Sequence, residues 1–124
     1  MNKFLISVVT AGSMALMLGC GGGVSQLTKD RVARSETAVQ QTTQALGNSE
    51  AGAVELQRAK DNLAQAQDAV KAKNEKRAER FASMAQLDAE LAGAKSETAS
   101  SRKAADEVLA SIETLRNEAS RGTP

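Results

Sequence analysis

Cys20 carries the one thiol in this chain, and the chain has no histidine, tryptophan or tyrosine. A cysteine can act as a nucleophile, help ligate a metal, pair in a disulfide or carry a covalent group. Without a second cysteine there is no intrachain disulfide. Without histidine the usual activating base and the usual co-ligand are missing. That leaves Cys20 as a spare thiol, in an ordinary secretory signal or an uncleaved anchor, or as a site where the sulfur is modified. The other candidates are charged. Asp88, Glu90 and Glu97 stand close in sequence with Lys95 among them, and paired carboxylates can serve as acid and base where a pocket separates their pKa values. On an exposed helix, with Arg102 nearby, the same residues make a solvated surface, and no catalytic residue, metal ligand or cofactor site is expected. Lys71, Lys73, Lys76, Arg77 and Arg80 form a basic cluster suited to anionic headgroups or peptidoglycan carboxylates, diluted by Glu75 and Glu79.

The position of Cys20 gives its chemistry a setting. "MNK" is a short basic start, "FLISVVTAGSMALML" an apolar run, and Gly19 a small residue before Cys20, the layout of an export signal. A membrane span needs about 20 apolar residues, and this run is shorter and holds Thr10, Gly12 and Ser13. The "MLGC" stretch resembles a bacterial lipobox, although Met17 and Leu18 are not the commonest residues of that motif. The resemblance implies cleavage between Gly19 and Cys20 and acylation of Cys20. Residues 1–19 are then a signal peptide and 20–25 a lipidated cysteine with a glycine-rich tether. Asp after the cysteine favours inner-membrane retention in Gram-negative lipoproteins; here that residue is Gly21. By that resemblance the expected place is the periplasmic face of the outer membrane.

Helices must position the remaining groups. From Gln26 onward Ala, Gln, Glu, Lys, Arg and Leu dominate, and the only proline is the last residue, so helix is expected almost throughout. "LGNSEAG" offers Gly47 and Asn48 for a left-handed cap and Ser49 or Asn48 to cap the next helix, which ends a first helix of about Gln26 to Leu46. Leu56, Ala59, Leu63, Ala66 and Val70 form a heptad seam. The same frame returns at Met84, Leu87, Leu91, Ala94, Thr98, Ser101, Ala105, Val108, Ile112 and Leu115. Between these segments it places Lys73, Arg77 and Arg80 in the seam, where a continuous coiled coil would have to bury three cations. A hairpin at 72–75 around Asn74 avoids this; a single helix from Ala53 to Ser120 is the rival.

Beyond that turn, Ala78, Phe81, Ala82, Ala85, Ala89 and Ala92 line a second stripe beside the Met84, Leu87, Leu91 row. The first half of the third helix is therefore apolar over an arc wide enough for two neighbours. The expected fold is all-α: an antiparallel helical hairpin or a three-helix coiled-coil-like bundle over residues 26–120, with a long C-terminal helix and a disordered 121–124 tail. Two helices of about 20 residues cannot cover one of about 45. Val108, Ile112 and Leu115 thus belong to an overhang with no partner in the two shorter helices, either a frayed end or a site of self-association or partner binding.

"GAVELQRAKDNLAQAQDAV" and "RAERFASMAQLDAELAGAKSETA" resemble a family called domain of unknown function 4398. The specific part is Glu55, Leu56, Ala59 and Lys60 followed by the Leu87 to Ala92 run. The family often has a Gly-Asp-Tyr-like turn where this chain has Lys73, Asn74 and Glu75. The resemblance implies a helical domain in short bacterial envelope lipoproteins and no particular reaction. Basic and acidic residues number 16 and 15, and Lys3 lies in the signal segment; no nucleic acid or small-molecule substrate is expected. The expected function is that of a non-enzymatic, lipid-anchored spacer, scaffold or accessory subunit. Its partners are the membrane through Cys20 and a second copy or an envelope protein. A non-covalent peptidoglycan-binding or envelope-stress module is the alternative.

Overall fold

The computed structural model describes residues 23–122; the signal segment, with Gly19 and Cys20, lies outside the described residues. Three helices follow in order: α1 (Gln26–Leu46), α2 (Ala53–Lys71) and α3 (Glu75–Arg121). They form an up-down-up bundle in which α3, of 47 residues, is about 70 Å long and the other two about 30 Å. The hairpin is present, and the rival single helix is not. α3 reaches Arg121, so the first residue assigned to the tail is still helical.

Each helix boundary has a local cause. Ser25 accepts from the Thr28 amide and caps α1. Gly47, at φ +52, ends it. The turn between α2 and α3 is a Schellman motif: Lys73 takes φ +55, its amide donates to the Val70 carbonyl, and the Asn74 amide donates to the Ala69 carbonyl. Asn74 then changes role and caps α3, its Oδ1 accepting from the Arg77 amide at 3.1 Å. The start of α2 differs from expectation, because neither Asn48 nor Ser49 caps it. Gly52 stands at the N-cap with φ +88 and no side-chain bond. A Cβ at Gly52 would lie 2.4 Å from the Ala92 carbonyl oxygen. Backbone meets backbone here, and only glycine fits.

α1 runs parallel to α3 at one register. Thr28 pairs with Glu75, and the Thr42 hydroxyl donates to the Ala89 carbonyl, both 47 residues apart. α2 runs antiparallel, with Asn62 on Asp88 and Glu55 on Lys95. The core divides into two clusters, one with Val39, Leu46, Leu56, Ala59, Ala89 and Ala92 and one with Val32, Ala66 and Ala82. The largest fully buried side chains are the hydroxyl residues Thr28 and Ser35. Small side chains let the helices approach closely, which here replaces the filling of space by large ones.

One expectation is corrected. The seam on α3 does not face the bundle: Ala78, Ala85, Ala89 and Ala92 are 0% exposed, whereas Met84 is 42%, Leu87 65% and Leu91 44% exposed. The alanine stripe touches both neighbours and the leucine row touches neither helix core. Interhelical distance decides between the two rows, since an alanine face brings helix axes nearer than a leucine face does.

Candidate functional surfaces

The base of the bundle gathers the point of chain entry and the basic cluster. Thr28 donates to Glu75 Oε1 at 2.9 Å and to Glu79 Oε1 at 3.2 Å. Ser25 and Thr28 hydroxyls bonded to Glu75, with a further contribution from the Ser25 backbone, hold its carboxyl below the usual range, while partial burial opposes this. These are the two acids that dilute the basic cluster in sequence, and both turn inward onto the first turn of α1. Lys71, Lys73, Lys76, Arg77 and Arg80 are all exposed. Arg77 and Arg80 lie over the Phe81 ring at 5.4 and 4.9 Å. Arg77 also reaches Gln65 at 3.5 Å, and Lys71 pairs with Asp68 on the solvent side. The structure therefore brings all five predicted cations to one end, the end at which the chain enters from Gly23.

Of the acidic group on α3, Asp88 and Glu90 have partners within the bundle, while Glu97 is exposed. Asp88 takes Arg58 at 3.0 Å and Asn62 at 2.9 Å, and Lys95 holds Glu55. The hydrogen bond from Lys95 comes first among the causes that lower the Glu55 pKa, ahead of its own backbone amide and the charges of Lys95 and Arg58; burial opposes them. Glu90 bonds Gln86 and lies apart from Asp88. The two carboxylates thus face different partners, and each of these links ties α3 to α2 or to itself. Beside Glu55 and Lys95 an open groove of about 1010 Å³ runs along the corner where the α1–α2 loop meets α3, with Val54, Leu91 and Arg102 on its walls. Among the described residues no group of His, Cys, Asp or Glu is arranged to hold a metal ion, and no helix is long and apolar enough to cross a membrane.

The third surface is the leucine row itself. Beyond Ser96 no described residue of α3 is buried, and Val108, Ile112 and Leu115 are exposed, as the length mismatch requires. Sequence reasoning missed that their row continues uncovered back through Leu91 and Leu87 to Met84. A signal for it existed: the wide apolar arc held one stripe of alanines and one of larger residues, and only one of them could be in the core.

No curated protein and no solved structure matches the chain. A family described as a domain of unknown function, DUF4398, matches residues 30–108, a stretch from the first turns of α1 into the overhang of α3. That match spans most of the chain and all three helices, and the chain belongs to this family of helical domains.

Proposed function

We propose that the protein is a non-enzymatic, lipid-anchored envelope protein that acts as a helical spacer or scaffold at the periplasmic face of the outer membrane. It stands on its basic end and carries the α3 overhang away from the bilayer. One observation supports this orientation most: chain entry and the five cations share one end of the bundle, while α3 leaves from the opposite end. Ser25 stands five positions after Cys20, and a chain spans at most about 3.6 Å per residue. A lipid on Cys20 therefore holds the cationic end within about 20 Å of the bilayer, where headgroup phosphates attract lysine and arginine. With each buried methylene contributing about 0.8 kcal/mol, multiple acyl chains on Cys20 make the attachment lasting.

Labelled palmitate supplied to growing cells tests the anchor. It enters the wild-type chain and not the Cys20→Ser variant, which accumulates as uncleaved precursor; absence of label in the wild type ends the proposal. The same five cations favour a second reading, contact with peptidoglycan carboxylates. Co-sedimentation with purified sacculi, lost on reversing Lys76, Arg77 and Arg80, is its distinguishing result.

A further inference from the structure

The uncovered row on α3 has a charge pattern that names its partner. In the heptad frame that puts Met84, Leu91, Thr98, Ala105 and Ile112 at a, and Leu87, Ala94, Ser101, Val108 and Leu115 at d, the g positions are Glu90, Glu97, Ala104, Ser111 and Glu118. The e positions are Asp88, Lys95, Arg102, Leu109 and Arg116; Asp88 is taken up by Arg58 and Asn62 within the bundle. Every charge at g is acidic, and every charge at e after Asp88 is basic. In a parallel pair, g of one heptad faces e of the next on the partner, which sets Glu97 against Arg102 of a second copy; an antiparallel pair brings g to g and e to e, like against like. Neither Glu97 nor Arg102 forms an ion pair among the described residues, so both are free for this contact. Ile at a followed by Leu at d, as at Ile112 and Leu115, suits two strands.

We infer that two copies of this chain associate in parallel and in register along α3, from Met84 to Leu115, a seam about 46 Å long. The bundle leaves room for it. α1 and α2 cover the alanine side, where the position-f residue Ala89 packs with Val39 and Leu56 and the next f residue, Ser96, is also buried, and the a and d residues lie on the opposite face. The inference deepens the scaffold reading by naming the overhang's partner, and it rests on that reading's use of the α3 surface but not on the lipid. Parallel alignment is also the arrangement open to two chains anchored to the same bilayer.

The test uses the full chain with Cys20→Ser, so that an introduced cysteine is the only thiol. Oxidation in cells is expected to join Ile112→Cys to itself, and likewise Leu115→Cys, while Lys103→Cys at the outward f position gives no disulfide dimer. In detergent, sedimentation equilibrium is expected to show Glu97→Arg weakening self-association about tenfold, by turning attraction into repulsion at two symmetric contacts. Adding Arg102→Glu to Glu97→Arg restores it. A chain that stays monomeric, equal crosslinking at Lys103→Cys, adducts only to other proteins, or no rescue by the charge exchange would each overturn the inference. Palmitate incorporation is read separately, so loss of the anchor with crosslinking intact removes the anchor alone, and label without a dimer removes only the pairing.

Discussion

The two halves of α3 put similar residues to opposite uses. From Glu75 to Ser96 the buried positions are five alanines and one serine, while the larger side chains Met84, Leu87 and Leu91 face outward. From Glu97 to Arg121, about 37 Å of helix, Val108, Leu109, Ile112 and Leu115 are all exposed. Helix propensity is high along the whole length and does not separate the halves. What separates them is the nearness of other backbones: Thr42 bonds the Ala89 carbonyl, and Gly52 rests on Ala92. In this bundle burial is bought with proximity rather than bulk.

The contrast is sharpest between neighbouring rows. Ala85→Lys is expected to destabilise the bundle by about 3 kcal/mol or more, since it overpacks a closed contact and leaves a charge without a partner. Leu87→Lys, two residues away on the open face, should stay within about 0.5 kcal/mol for the monomer. Urea unfolding of both at low concentration checks this, and equal effects would mean the rows are misassigned. Next in size is Gly52→Ala. The strained φ and the clash with the Ala92 carbonyl together cost about 2 to 5 kcal/mol, with a matching fall in thermal midpoint. Ile112→Ala, under the same dilute conditions, should leave the midpoint in place.

Acid acts on the bundle through Glu55 and Glu75. Glu55 and Glu75 have lowered pKa values in the folded chain, so the unfolded chain takes up protons first as pH falls. Their stabilisation is complete above the ordinary carboxyl value of 4.5 and is lost as pH drops through the lower folded values. Unfolding midpoints at successive pH values should therefore decline below about pH 4.5, less steeply in Glu55→Gln/Glu75→Gln. The smallest expected change is a gain: Lys73→Gly relieves a left-handed residue and should stabilise by about 1 kcal/mol or less. A loss there would mean that the Lys73 side chain contributes something its backbone strain hides.

Features with local causes were legible in the sequence. Gly47 and Asn74 mark real ends because capping depends on a residue's own side chain and on the few amides beside it. The length mismatch, and with it the exposed Val108, Ile112 and Leu115, comes from counting turns. The choice between the alanine and leucine rows was not legible in this way. Periodicity gives the angle of a stripe, whereas the closeness of approach that favours Ala89 over Leu87 depends on where two other helices lie. The bare start of α2 has the same origin, because Gly52 answers to Ala92, forty residues away in sequence. The inward turn of Glu75 and Glu79 depends on Thr28 in another helix, and the sequence alone showed only that two acids interrupt five cations.

The parallel run of α1 beside α3 has a mechanical consequence. Ser25 lies at one end of the molecule and Arg121 at the other, so tension between the termini draws α1 toward the base and α3 toward the tip. The two helices are then loaded in shear along their whole contact. The Thr28 bonds to Glu75 and Glu79 and the Thr42 bond to Ala89 share the load and must yield together, whereas an antiparallel pair pulled from adjacent ends would peel open one turn at a time. Pulled lengthwise, this small bundle resists as a lap joint does.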